Sequence, residues 1–167
     1  MTLRFAANLN FLFGESSTSI AERIRKAHIY GFKAVEIPYP EHEVDDVVKA
    51  TNETGICVSL INIALAYLAI KEISNDNIKL MVDFYHLQHI RGNVTKALEE
   101  YQAEIGHFQI AQVPNRNEPD TQGELNYRYI FEKILELDYD GWIGCEYTPK
   151  ATTVEGLNWI SKYGLTL

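Results

Sequence analysis

The sequence predicts an α/β fold, one domain over residues 1–167 made of consecutive strand–helix units around a parallel sheet. Three observations carry this. Strand-like apolar runs and segments of helical spacing follow one another along the 167 residues, as they do where helices cross between parallel strands. One wording occurs twice, Gly31-Phe32-Lys33-Ala34-Val35-Glu36 and Gly141-Trp142-Ile143-Gly144-Cys145-Glu146: glycine, aromatic, any residue, small residue, any residue, glutamate. Each copy follows a helix-like segment and delivers its glutamate to a loop bearing aromatics or proline, the placement expected where strand ends carry the chemistry.

Leu3–Leu9 reads as a first strand, with Phe5, Ala7 and Leu9 on one face and Arg4, Ala6, Asn8 and Asn10 on the other. Ser19 followed by Glu22 is a capping-box pattern, and Ile20, Ile24 and Ala27 at helical spacing define a helix that Gly31 stops. Strand two is Ala34–Pro38, and a helix over Val44–Glu53 is halted by Gly55. Strand three, Ile56–Ile63, is rich in β-branched and apolar residues. It runs into Ala64–Ile73 with no Gly, Pro or polar loop between, which marks either a directly docked helix or a seam. After a turn at Ser74–Asn77, Ile78–Phe84 alternates Ile78, Leu80, Val82 and Phe84 with Lys79, Met81 and Asp83. A helix at Val94–Glu104, a strand at Gly106–Ile110, a long polar loop at Val113–Leu125, a helix at Tyr127–Leu137, a strand at Gly141–Glu146 and a helix at Val154–Tyr163 complete six strands.

Composition excludes several classes. A hydrophobic fraction of 46% and a charged fraction of 23% are those of a globular chain. Fifteen Lys and Arg against 23 Asp and Glu give −8, which repels a nucleic-acid backbone, and no basic patch compensates; the cluster Arg23 to Lys26 reads as a solvated helix face. Cys57 and Cys145 lie in apolar runs without metal-type spacing and read as buried reduced thiols. No run approaches the ~20 apolar residues of a membrane helix and no signal sequence is visible, so the expected setting is cytoplasmic, with no membrane partner.

With the strands parallel, Glu36, Asp83, Gln109 and Glu146 fall at the C-terminal ends of four strands. A strand-end carboxylate taken alone is more often a helix cap or a salt-bridge partner; four polar residues at equivalent positions shift the balance toward a site. Hard oxygen donors gathered there suit a divalent cation such as Mg²⁺ or Mn²⁺, and a carboxylate left over can move a proton. His86, just past its strand, can touch a substrate oxygen, and Arg116 and Glu118 in the loop NRNEP can grip an anion. His28, His42 and His89 read as loop or surface residues, and Tyr127, Tyr129 and Tyr139 as packing.

At these residues the chain resembles the hydroxypyruvate isomerase family of xylose-isomerase-like TIM barrels, most closely its animal members. The resemblance rests on RFAANLNFLFGE, GFKAVEIPYP, VDFYHLQHIRGN, IGHFQIAQVPNRNEPDTQGELNY, YDGWIGCEY and TTVEGLNWISKYG, in that order and across nearly the whole chain. It implies interconversion of hydroxypyruvate and 2-hydroxy-3-oxopropanoate by proton transfer between adjacent carbons, with a small hydroxy-oxo acid as the partner. It also implies catalysis by Glu146, metal-ligand positions at Asp83 and Gln109, and substrate contacts at His86 and Arg116; the strand-end reading adds Glu146 to the metal ligands and Glu36 to the substrate contacts.

A full barrel of this type takes about 250 residues. The resemblance places the missing part after Ile63, with two central strands and the Glu-Pro-Ile-Asn type motif of the first catalytic glutamate, and Thr148 stands where the family often has Lys. The expected fold is therefore an incomplete barrel of six parallel strands, open or contracted between the strands at 56–63 and 78–84, the open form being favoured. Two functional expectations stand side by side: an isomerase, or a catalytically inactive shortened form that binds at most a small anion or a partner. A metal-dependent nuclease on the same barrel is disfavoured by the net charge of −8.

Overall fold

The computed structural model describes all residues except 1, 16, 18, 39, 41 and 63–78. In chain order it contains β1 (Arg4–Asn8), α1 (Ile20–Ile29), β2 (Ala34–Pro38), α2 (Val44–Thr54), β3 (Cys57–Asn62), β4 (Leu80–Asp83), α3 (Phe84–Ile90), α4 (Val94–Tyr101), β5 (Ile105–Ile110), α5 (Tyr127–Glu136), β6 (Trp142–Cys145), α6 (Thr153–Gly156) and α7 (Trp159–Lys162). The strands form one six-stranded sheet of order β3-β2-β1-β6-β5-β4, every neighbouring pair parallel. Strands β3 and β4, consecutive in the described chain, thus stand at opposite edges, and the sheet is a half-barrel. The open form is the one adopted: closing six strands into a smaller barrel requires all of them to change tilt and stagger together. The segment 64–75 expected to join the two edges, the turn at 74–77 and the edge positions 63 and 78 lie outside the described residues.

Local chemistry explains most element boundaries and the differences from expectation. Ser19 is the N-cap of α1, but its side chain makes no capping bond; Glu43, just before α2, reaches across instead, its Oε2 accepting from Ile20 N at 2.9 Å and from Ser19 Oγ at 3.1 Å. Gly55 ends α2 at φ 68°, the left-handed conformation that glycine adopts at least cost. Phe84, expected as the last residue of a strand, instead opens α3. Asp83 caps that helix, its Oδ1 accepting from the N–H of Tyr85 at 2.8 Å and of His86 at 3.3 Å. The helix expected over 154–163 is two short ones, of which α6 begins with a capping box between Thr152 and Glu155. Cys145 is buried as expected, whereas Cys57 is exposed because its strand is an edge.

The core between sheet and helices is aromatic where β6 ends. Phe5 meets Trp159 edge-on with ring centroids 5.2 Å apart, Phe131 stacks on Trp159 at 5.9 Å, and the Trp159 indole N–H donates to the Tyr147 hydroxyl at 3.0 Å. Trp159 and Tyr147 are fully buried. Each such ring contributes about 1.5–3 kcal/mol of apolar burial, so the chain at Tyr147 is pinned, and with it the neighbouring Glu146.

Among the described residues nothing pairs with the outer side of β3 or β4, and this has a physical consequence. Unpaired strand backbone beside apolar side chains invites pairing with another chain, and Met81 on β4 is 41% exposed. Met81→Lys is expected to lower light scattering in a thermal ramp while leaving the free energy of unfolding within about 0.5 kcal/mol of the parent, as surface changes do. Equal scattering from both proteins would show that this edge is not the association surface.

Candidate functional site

Register builds the site. Asn8 on β1 is level with Glu36 on β2, Gln109 on β5 is level with Gly144 on β6, and Asp83 at the end of β4 is level with Gln109. Because side chains alternate faces with a period of two, Asn8, Gly144, Glu146, Gln109 and Asp83 project to the same side at the C-terminal ends of their strands.

Glu36 forms the floor. It is fully buried, and its carboxylate takes three hydrogen bonds: His107 Nε2 to Oε1 at 2.5 Å, Asn8 Nδ2 to Oε2 at 2.6 Å and Gln109 Nε2 to Oε2 at 2.7 Å. Room for it comes from Gly144, where an added Cβ would stand 1.7 Å from Glu36 Oε1. The substrate contact expected of Glu36 is thus not exposed here: its oxygens are spent on protein donors, as a buried carboxylate requires.

Above this floor lies a second group of charges. The Arg116 guanidinium donates to Glu146 Oε2 through Nη2 and to the Glu146 carbonyl through Nε at 3.3 Å, and Nη2 is also 3.6 Å from Asp83 Oδ2. The guanidinium sits over the rings of Tyr85 at 4.8 Å and Phe11 at 4.9 Å, two cation–π contacts that restrict its motion. His86 is half-exposed, with Nε2 3.5 Å from Asp83 Oδ2. Burial pushes the Glu146 carboxyl up to about 8; the charge and hydrogen bonding of Asp83 and the charge of Glu36 add to this, while Arg116 opposes it. A carboxyl poised near neutral pH, beside a fixed cation and a histidine, can accept and return a proton.

The metal ligands implied by the resemblance are brought together only in part. Asp83 and Glu146 share Arg116, Asp83 Oδ2 has no hydrogen bond but faces both Arg116 and His86 at ion-pair distance, and Gln109 turns its amide nitrogen toward Glu36. Among the described residues no group of three or more His, Cys, Asp or Glu side chains is placed to hold a metal ion. As arranged, the set does not fit a divalent cation, and the positive charge at its centre belongs to Arg116. Glu118, paired with Arg116 in the sequence reading, lies elsewhere: it is buried, and its Oε1 accepts from Lys150 N at 3.0 Å.

Sequence reasoning passed over Asn8, His107, Phe11 and Tyr85. Asn8 and His107 were visible as polar residues alternating within apolar strands, the signal that singled out Asp83 and Gln109. Phe11 and Tyr85 carry no such mark, because a ring over a guanidinium looks in sequence like any other core aromatic.

A family model described as the xylose isomerase-like TIM barrel matches residues 66–163. A provisionally named hydroxypyruvate isomerase of Drosophila melanogaster is 41% identical over 264 residues, an alignment that spans all of both chains. The 2-oxo-tetronate isomerase of Haemophilus influenzae is 43% identical over 135 residues, covering 80% of this chain and 47% of that one. The hydroxypyruvate isomerase of Escherichia coli is 36% identical over 161 residues, covering 96% of this chain and 51% of its own. The chain therefore spans about half the length of these two bacterial relatives. Among solved structures, a family 2 AP endonuclease from Brucella melitensis superposes with TM-score 0.86 at 23% identity, covering 97% of this chain and 99% of that one. The 3-keto-D-glucoside 4-epimerase of Escherichia coli superposes with TM-score 0.72 at 14% identity, covering 97% and 100%. At such identities the likeness is one of fold alone.

Proposed function

Because the chain belongs to the xylose isomerase-like TIM-barrel family, we propose that it is an isomerase acting on a small 2-oxo acid with a hydroxyl on the adjacent carbon, hydroxypyruvate being the first candidate. The observation that carries this reading is the Glu146 carboxyl, held at a strand end between Asn8 and Arg116 with its pKa raised to about 8. The names of the relatives add support, since hydroxypyruvate and 2-oxo-tetronate are both 2-oxo acids of this kind.

In the proposed reaction the Glu146 carboxylate removes a proton from C3 of hydroxypyruvate. The electrons of the C–H bond form a C2–C3 double bond, and the carbonyl oxygen on C2 becomes anionic. Arg116, fixed between Asp83 and Glu146, supplies the positive charge that this enediolate and the substrate carboxylate need. His86, oriented by Asp83, carries the hydroxyl proton from the C3 oxygen to the C2 oxygen. The Glu146 carboxyl then returns its proton to C2, leaving an aldehyde at C3. One carboxyl thus makes both carbon–proton transfers, on one face of the enediolate. No step is assigned to a metal, and the rate is expected to be the same with a chelator as with added Mg²⁺ or Mn²⁺.

Among the described residues no helix is long and apolar enough to cross a membrane. A water-soluble substrate fits an aqueous setting, and the cytoplasm is proposed on that ground.

The test is incorporation of solvent deuterium into hydroxypyruvate, read by mass spectrometry or proton NMR with the protein in catalytic amount. Label at C3 and formation of 2-hydroxy-3-oxopropanoate are expected. Unlabelled hydroxypyruvate that nevertheless binds, as measured by calorimetry, would overturn the enzymatic reading. It would leave a small-anion binder, a reading favoured by the full burial of Glu36, which leaves Glu146 as the only partly exposed glutamate of the site among the described residues.

A further inference from the structure

Asn8 makes contacts that its place in an apolar strand does not explain. Its side chain is fully buried at the C-terminal end of β1, level with Glu36 on one side and adjoining Glu146 on the other. The amide nitrogen donates to Glu36 Oε2 at 2.6 Å and to Glu146 Oε1 at 3.3 Å. The amide oxygen accepts from Asn10 N at 3.0 Å, which settles which end of the amide faces the carboxylates. A single NH₂ group thus bridges two acids that would otherwise repel each other. The lower acid is itself anchored by His107 and Gln109.

We propose that Asn8 is the positioning residue of the site, aligning Glu146 by tying its Oε1 to the rigid Glu36–His107–Gln109 cluster beneath. Arg116 holds the other carboxyl oxygen of Glu146 from the loop side, so the carboxyl plane is fixed by two donors on opposite edges. Arg116 alone leaves the group free to swing about that one ion pair. Asn8 supplies the second point, and it does so from a strand of the sheet, which holds a side chain more precisely than a loop does. An aspartate in this place would present acceptors only and set a third carboxylate against two others; an alanine would leave both oxygens without this donor.

This inference rests on the reading of Glu146 as the proton-transfer group, and the experiment separates the two. In Asn8→Ala, kcat for hydroxypyruvate isomerisation is expected to fall about 10- to 100-fold with KM within twofold, the mark of misplacement rather than lost binding. Independently of turnover, the ¹³C carboxyl signal of Glu146, assigned through Glu146→Gln, is expected to shift and broaden in Asn8→Ala, with the Glu36 signal moving as well. Asn8→Ser, whose shorter hydroxyl cannot span both acids, is expected to give the same pattern and serves if the alanine variant fails to fold. An unchanged Glu146 signal in either folded variant overturns the positioning role. Loss of turnover with that signal unchanged does the same, and assigns the loss to packing. A parent protein without turnover sinks the isomerase reading alone, because the carboxyl signal still decides what Asn8 does.

Discussion

Glu146→Gln is expected to lower solvent exchange into hydroxypyruvate by roughly a thousandfold, within the 10²–10⁴ range by which a positioned base contributes. The amide keeps the shape of the side chain and can still accept from Arg116 through its oxygen, so binding of the substrate anion is expected to stay within a few-fold. What disappears is the capacity to take a proton. The parent protein should also show a rate that rises with pH and levels off above about 8, because the ionised carboxyl is the base and its pKa stands there. Stability runs the other way. A carboxyl raised from 4.5 to about 8 on folding binds protons more tightly in the native state, so its contribution is complete below about 4.5 and is lost as pH rises through about 8. Denaturant midpoints across that window should fall for the parent and stay flatter for Glu146→Gln. Activity within tenfold of the parent would make Glu146 a ligand or a structural residue, and the proton would have to travel by another group.

The sheet was legible in the sequence because its signals are local. Strand-length apolar runs punctuated by Gly31, Gly55 and Gly141 place the strands to within a residue or two, and the repeated glycine-to-glutamate wording marks two strand ends where acids sit. What misled was context supplied by neighbours. Phe84 continues the alternation of β4, but the side chain of the preceding Asp83 satisfies the first turn of a helix and wins. Cys57 reads as a core residue and is exposed, since no periodicity shows whether another strand lies beside it. The same limit applies to the site. Glu36 and Glu146 occupy matching places in the repeated wording, yet one is a fully buried anchor and the other a largely buried carboxyl that keeps some exposure, 12% of its side chain. The difference is made by His107 and Gln109, which donate to Glu36 from β5, a strand about 70 residues further along the chain.

That contrast gives a sharp expectation for Gly144→Ala. In the first copy of the wording the equivalent small residue is Ala34, which is fully buried and tolerated; in the second copy only glycine fits. The reason is space rather than backbone freedom: a methyl on Gly144 would lie 1.7 Å from Glu36 Oε1 and 2.4 Å from its Cδ. Two ways out exist, and both are costly. If the carboxylate moves, it abandons donors from Asn8, His107 and Gln109, each of which costs about 1–3 kcal/mol when left buried and unpaired. If β6 moves instead, it breaks register with β1 and β5 and carries Glu146 away from Asn8 and Arg116. The substitution is therefore expected to destabilise the fold by roughly 3 kcal/mol, a drop in the unfolding midpoint of about 6–12 °C for a chain of this size. Exchange activity should fall with it even at temperatures where the protein stays folded. The companion measurement is the double variant with Glu36→Ala. Once the carboxylate is gone the methyl has nothing to strike, so the double variant should be no less stable than Glu36→Ala alone, a strong departure from additivity. Additive losses would show that the close approach of Gly144 to Glu36 is not what shapes the floor of the site.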